Sequence, residues 1–377
     1  MNTAVELPQV ENFQDLFLNE TALMDVRAPV EFAQGAFPNT LNLPLMNDDE
    51  RQKVGLQYKE QGQDKAIEMG HELVSGQVKE NRVAAWKAFV KKNPRGVLYC
   101  FRGGLRSRIT QQWIYENTGV IYPRVKGGYK ALRRFLIDEL EVSVKNIQPV
   151  ILSGRTGIGK TILLNRVQQQ MDLEGIYFHR GSVFGKHAKP QPSQIDIENV
   201  LSIELLKLRS TNVTNIVIED EGISIGSRRI PDVFFNRMKE SPLIILDASV
   251  DERVEITFNE YINASLAEYQ TLLGEDEGLE TWAANLQNSL TRIQRRLGGV
   301  RYSEYKTIMD DAIKVQKNTG ESKLHKIWIK NLLTQYYDPM YDYQLSHKKD
   351  RQIFQGDQQA VLAFLAENYH IHQTEQA

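Results

Sequence analysis

Two short stretches carry residue types whose spacing suits chemistry. The first, "YCFRGGLRSR", holds Cys100, the chain's one cysteine, with Arg106 at a Cys-x5-Arg interval. A sulfur between a strand and a helix start faces free backbone N–H groups and the positive end of the helix dipole, which favour the thiolate. Such surroundings bring a thiol pKa from about 8.5 toward about 3.5–7.5. Gly103 and Gly104 let the backbone curl so that several N–H groups converge. Arg102 and Arg106 add positive charge, and Ser107 is placed to cap the helix. A lone cysteine is more often a packing residue, but the glycine pair, the arginines and the helix start argue for a nucleophilic sulfur. The loop suits two chemistries: holding a phosphate, or carrying a chalcogen on the sulfur.

The second stretch, "PVILSGRTGIGKTILLNRV", spaces Gly154, Gly159, Lys160 and Thr161 as G-x-x-x-x-G-K-[ST] between an apolar strand and a helix. Its glycines, Gly157 included, let backbone N–H groups approach a polyphosphate. Lys160 neutralises it, and Thr161 is placed to ligate Mg²⁺. "NIVIEDEG" supplies Glu219, Asp220 and Glu221 at a strand end, of which Asp220 is assigned as the Mg²⁺ partner of Thr161. No residue stands out as one that positions an attacking water, so the motif implies polyphosphate binding and not hydrolysis. "HRGSVFGKHAKP" places His179, Arg180, Ser182 and Lys186 at the mouth of the sheet, where α/β folds bind ligands. His179 and His187 read as hydrogen-bonding groups and not as metal ligands.

Near the end, "TRIQRRLGGVRYSEYK" gathers Arg292, Arg295, Arg296 and Arg301, with Tyr302 and Tyr305 interleaved for stacking on bases, a candidate RNA surface. "YYDPMYDYQ" is too polar and turn-rich to be core alone, and "YHIH" reads as a surface tail.

Parallel α/β domains must position these loops. "ALMDVRAPV", "RGVLYC" and "GVIYPRV" read as strands alternating with helices over residues 1–142. "PVILSG", "GIYF", "NIVIED" and "SPLIILDA" read as strands of a second α/β unit over 148–250. Residues 251–377 read as a helical region packed on that unit. At 377 residues with 41% hydrophobic content, the chain has room for two or three cores. A net charge of −2 restricts any nucleic-acid contact to a local patch. One cysteine excludes an internal disulfide and a cysteine-rich zinc site, and points to the reducing cytoplasm. The N-terminal stretch lacks the apolar core of a signal peptide, and no run is long enough to span a bilayer, so no membrane partner is expected.

The upstream run "DVRAPVEFAQGAFPNTLNLPL" resembles the N-terminal signature of rhodanese sulfurtransferases at Asp25, Arg27, Pro29, Glu31, Phe32, Gly35, Pro38, Asn39, Asn42 and Pro44. "VKGGYKALRRF" resembles the segment that closes such a domain. Cysteine phosphatases share the loop but rarely this run. The loop is one residue longer than in short-loop sulfurtransferases, which leaves open the atom it carries. With "YCFRGGLRS", "SGRTGIGKT", "HRGSVFG", "RRIP", "RRLGGVRY" and "YYDPMYDYQ" in that order, nearly the whole chain resembles the bacterial tRNA 2-selenouridine synthases.

That resemblance implies a transferase acting on wobble 2-thiouridine of tRNA. It replaces sulfur by selenium from selenophosphate, by way of S-geranylation from geranyl diphosphate. It implies selenium delivery at Cys100, diphosphate binding at Gly154, Gly157, Gly159, Lys160 and Thr161, and no tightly bound cofactor. An enzyme that supplies selenophosphate is an expected partner. Two rivals remain from the residues alone. One is a sulfurtransferase or phosphatase fused to a small-molecule kinase. The other is a nucleotide-switched RNA-binding protein with a redox-sensing thiol.

Overall fold

Short runs of apolar residues flanked by turn formers become parallel strands buried on both faces. In the computed structural model, which describes residues 7–374, five strands form one parallel sheet, of which the second and fourth are buried throughout. They are β1 (Gln9–Val10), β2 (Leu23–Asp25), β3 (Thr40–Asn42), β4 (Val97–Tyr99) and β5 (Arg124–Val125), in the order β1-β5-β4-β2-β3. Strands β2 and β4 run side by side, Met24 opposite Leu98 and Asp25 opposite Tyr99. Alternation along the strands splits their side chains between two cores. Met24 and Leu98 join Trp86, Trp113 and Cys100 on one face. Leu23, Val97 and Tyr99 join Phe17, Leu132 and Leu136 on the other.

This sheet belongs to one of two units, Met1–Ser143 with Ser193–Lys207; the other is Val144–Pro192 with Leu208–Ala377. The division departs from a simple split near residue 148. Within the helix Gln194–Ser210, Asn199 donates to the Ala36 carbonyl at 2.7 Å, and Ser202 donates to the Leu136 carbonyl at 2.6 Å. Ile203 and Leu206 complete the second core of the first unit.

The second unit has its own parallel sheet: β6 (Gln148–Ser153), β7 (Gln170–Met171), β8 (Asn215–Glu219), β11 (Leu243–Leu246) and β12 (Gln352–Gly356), ordered β12-β11-β6-β8-β7. A small antiparallel pair, β9 (Ser224–Ile225) and β10 (Arg228–Arg229), stands apart. Three sequence expectations are corrected here. "GIYF" is not a strand: Asp172 accepts from the Gly175 N–H at 2.7 Å and caps a short helix, Leu173–Tyr177. The region after 250 is not wholly helical, because β12 pairs with β11 and completes the sheet edge. "YHIH" is not a free tail: Ile371 is buried, and the His372 carbonyl accepts from the Gln168 N–H at 3.0 Å. Helices between residues 250 and 346 enclose a core of Trp282, Leu286, Tyr305, Met309 and Trp328, which also holds Phe184, while the helix Gln358–Tyr369 packs Val361, Leu362 and Leu365 into the core of the sheet. Among the described residues no helix is long and apolar enough to cross a membrane.

Candidate active site

Cys100 sits one residue past β4, at the C-terminal edge of the first sheet, and Gly104 opens the helix Leu105–Thr118. The thiol is buried and donates to Ser107 Oγ at 3.3 Å. Ser107 does not cap the helix as expected; its hydroxyl donates to the Gly104 carbonyl at 2.9 Å. The loop is locked against the Gly127-Gly128 segment. Tyr129 N–H donates to the Cys100 carbonyl at 2.9 Å, and Lys130 N–H to the Phe101 carbonyl at 3.1 Å. Gly128 has φ +63°, and a Cβ there would stand 2.3 Å from the Cys100 carbonyl oxygen, so only glycine fits. Gly103, at φ +66°, meets the same segment. Arg102 is exposed at the loop tip.

Arg106 is less free than the sequence implied. Its guanidinium binds Glu31 through two bonds, Nη1–Oε2 at 2.5 Å and Nη2–Oε1 at 3.0 Å, and Arg51 approaches the same carboxylate at 3.3 Å. Burial alone would raise the Glu31 pKa, but Arg106 and Arg51 hold it below the ordinary carboxylate value. Beneath the loop, Arg27 is fully buried and bonds Asp25 at 2.8 Å and the Gly35 carbonyl at 2.8 Å. Asn42 donates to the Asp25 and Arg27 carbonyls at 3.0 and 2.9 Å. The upstream signature residues thus form the scaffold on which the thiol loop rests.

The second loop starts where β6 ends. Gly154, Gly157 and Gly159 have φ of +152°, +72° and +83°. A Cβ at Gly157 would lie 2.2 Å from Thr257 Oγ1. Gly159 caps the short helix Lys160–Leu164. Lys160 lines a polar cavity of about 40 Å³ with Thr161, Glu174, Arg180, Ser182, Glu221, Glu260 and Tyr341. Thr161 Oγ1 donates to Glu219 Oε1 at 2.8 Å, and carboxylate oxygens of Glu174, Glu219 and Glu221 come within 4.8 Å of one another. Burial raises the Glu174 and Glu219 pKa values, repulsion among the acids adds to this, and Lys160 opposes it. Burial also raises Glu221 and Glu260. Burial would lower the Lys160 pKa, but Tyr341 and the three carboxylates together raise it, so the ammonium stays charged. Oxygen donors crowded around a threonine hydroxyl are a hard-cation arrangement.

Asp220 is not part of it. Both its oxygens accept from Lys348, at 2.7 and 2.6 Å, and Ser153 Oγ donates to it at 2.5 Å. Glu219, not Asp220, is the acid that accepts from Thr161. Sequence reasoning also missed what props the loop. Arg253 Nε donates to the Thr156 carbonyl at 3.0 Å, while its two terminal nitrogens bind Asp338 at 3.0 and 2.6 Å. Arg155 clasps Asp342 at 2.7 Å. Two π-helical turns, Asn259–Ala264 and Leu333–Tyr337, sit where Glu260 and Asp338 are presented. The polar density of "YYDPMYDYQ" was the visible signal of these contacts.

"HRGSVFG" folds into a tight loop. Arg180 N–H donates to the Gly185 carbonyl at 2.9 Å, and buried Phe184 packs 5.5 Å from Trp328. Arg180 pairs with Glu268, which also holds His187 Nδ1 at 3.0 Å. His179 is buried, and burial together with His187, Arg180 and Arg292 lowers its pKa to about 4, so it is neutral at pH 7. Arg292, Arg295, Arg296 and Arg301 are all exposed. Tyr305 is fully buried and donates to Gln335 Oε1 at 2.9 Å, so it is a core residue and not a stacking platform.

A profile of the family described as "tRNA 2-selenouridine synthase AAA domain" matches residues 147–372. The tRNA 2-selenouridine synthase of Marinobacter nauticus is 51% identical over 94% of this chain and 96% of its own. That of Sulfurovum sp. is 47% identical over 96% and 99%, and that of Pseudomonas syringae pv. syringae 50% over 94% and 97%. A solved N-terminal domain of a Clostridium difficile 630 protein, titled as ATP/GTP binding, is 28% identical over 34% of this chain and 98% of that one. Its TM-score of 0.30 carries no argument. With matches of this strength running through both loops and nearly end to end, the chain belongs to the tRNA 2-selenouridine synthase family.

Proposed function

We propose that the chain exchanges the sulfur of a 2-thiouridine in tRNA for selenium, and that its two loops divide the work. The first unit is read as a rhodanese-like domain and the second as a P-loop domain. Sulfur on a thiouracil is a poor leaving group, and alkylation improves it. In the first step the thiouracil sulfur attacks the C1 carbon of geranyl diphosphate, forming the C–S bond and releasing diphosphate. Lys160, Thr161 and the loop N–H groups bind the departing diphosphate, which is stabilisation where charge develops.

A Mg²⁺ ion fits the oxygen donors of Thr161, Glu219, Glu174 and Glu221, and when bound supplies further positive charge to the diphosphate. The polar cavity at the loop has room for only a few waters, so diphosphate entry requires the side chains over it, Arg180 and Tyr341 among them, to move. In the second step the selenium of selenophosphate adds to C2 of the S-geranylated base, geranylthiol leaves, and water cleaves the Se–P bond to release phosphate, with no change of oxidation state. Cys100, the chain's one cysteine, and the glycine loop beside it hold the selenophosphate for this step.

The observation that carries this reading is that relatives named tRNA 2-selenouridine synthase match the chain over 94–96% of its length, and that both loops follow a strand and carry glycines at positive φ. The test is incubation with 2-thiouridine-containing tRNA and geranyl diphosphate, then with selenophosphate, with nucleosides analysed by mass spectrometry. S-geranyl-2-thiouridine followed by 2-selenouridine is expected. Absence of the geranylated nucleoside removes the assignment of the phosphate loop.

A further inference from the structure

Beside the phosphate loop lies a second and larger cavity, of about 590 Å³, for which neither loop has a use. It is walled by the segment from His179 to Gln191, by the β9–β10 turn, and by Arg292 at the end of the helix Glu275–Arg292. Its volume is in the ordinary range for an organic ligand. Lys186, Lys189, Arg228 and Arg292 line it, and no carboxylate does. Among the described residues none of these four forms an ion pair. The nearby acid, Glu268, is already shared between Arg180 and His187. In a chain of net charge −2, four cations without a carboxylate partner around one hollow mark a site for a polyanion, although Arg228 Nε also donates to the Pro192 carbonyl at 2.7 Å.

The cavity also holds an unmet polar group. His179 lines it at 9% exposure, and its Nδ1 has no hydrogen-bond partner. Leaving such a buried atom unpaired is costly, and a ligand group that pairs with it removes the cost. The backbone that carries the ring is held in place: the His179 backbone N–H donates to the Glu174 carbonyl at 2.9 Å, and the same residue forms a backbone bridge to Lys186. Gly226, at φ +61°, makes room for it, since a Cβ there would lie 2.7 Å from His179 Cδ2. Gly181 and Ser182 line both this cavity and the one at Lys160. A ligand here therefore neighbours a group bound on the phosphate loop.

We propose that this cavity receives the target uridine of the tRNA, with His179 against the base edge and Lys186, Lys189, Arg228 and Arg292 on the flanking phosphates. The inference rests on the tRNA reading above and assigns the place where that RNA enters the second unit. Four cations exceed what the single phosphate of a free nucleotide occupies, which favours a base carried on a polymer.

The test uses the full-length protein and a fluorescent anticodon stem-loop RNA with one 2-thiouridine, bound over a salt series. Lys186, Lys189 and Arg292 are exposed, so K186A/K189A/R292A should melt like the parent. Its Kd near 150 mM salt should rise at least about tenfold, and the log–log salt slope should fall by about two, at about 0.7 per lost phosphate contact on single-stranded RNA. His179→Asn should leave the slope unchanged and weaken discrimination between uridine and cytidine at the target position. An unchanged Kd and slope in the triple variant overturns the proposal. So does loss of binding on R295A/R296A alone, or uridine monophosphate competing as well as the stem-loop. In those outcomes, product formation by the parent shows that the functional reading stands without this site. A parent protein that ignores the RNA sinks both.

Discussion

Replacing Asp338 by alanine should unfasten the phosphate loop from the helical region that props it. The Arg253 side chain is 1% exposed and that of Asp338 13%, and they are joined by bonds of 3.0 and 2.6 Å. In D338A the guanidinium stays buried with one remaining partner, the Thr156 carbonyl. Breaking a buried pair from one side costs about 3–5 kcal/mol, because the other charge is left uncompensated. The slight exposure of Asp338 and the surviving bond put the expected loss at the lower end, about 3 kcal/mol. With a urea m-value of about 3 kcal/mol/M, the midpoint drops by about 1 M. The four tryptophans divide conveniently: Trp86 and Trp113 lie in the first unit's core, Trp282 and Trp328 in the second unit's. Fluorescence in a W86F/W113F background therefore reports the second unit alone, avoiding a false two-state fit to both. Because Arg253 holds the loop through Thr156, the KM for geranyl diphosphate should rise more than kcat falls. The pair R253M/D338L should recover most of the stability but not the KM. A midpoint shift below about 0.3 M in D338A refutes the claim that this pair fastens the loop.

Cys100→Ser should abolish selenium incorporation while sparing geranylation, read by nucleoside mass spectrometry; loss of both in a folded variant contradicts the division of labour. Lys160→Ala should remove geranyl transfer by removing diphosphate binding, and intact transfer refutes the loop assignment. Glu31 has a folded pKa below its unfolded value, so its contribution is present above the unfolded pKa and is lost as pH falls through the folded one. The first unit should thus lose stability as pH falls below the ordinary glutamate pKa of 4.5, followed by Trp86 and Trp113 fluorescence, and Glu31→Gln should flatten that slope.

Both loops were legible because they are local. A glycine at positive φ, a lysine at a helix start and a thiol after an apolar strand need no distant partner to be recognised. What stayed hidden depends on contacts across long stretches of chain. Arg253 meets Asp338, Thr161 meets Glu219, and Arg106 meets Glu31, each through packing that spacing does not encode. The choice of Asp220 over Glu219 is instructive, since strand periodicity already separated them. Side chains alternate along β8, so carrying that alternation past its end puts Glu219 and Glu221 on one face and Asp220 on the other. The structure follows the alternation: Glu219 and Glu221 join Glu174, while Asp220 turns to Ser153 and Lys348. A motif thus names the kind of residue a phosphate site needs, and the parity of the strand that carries it selects which one serves.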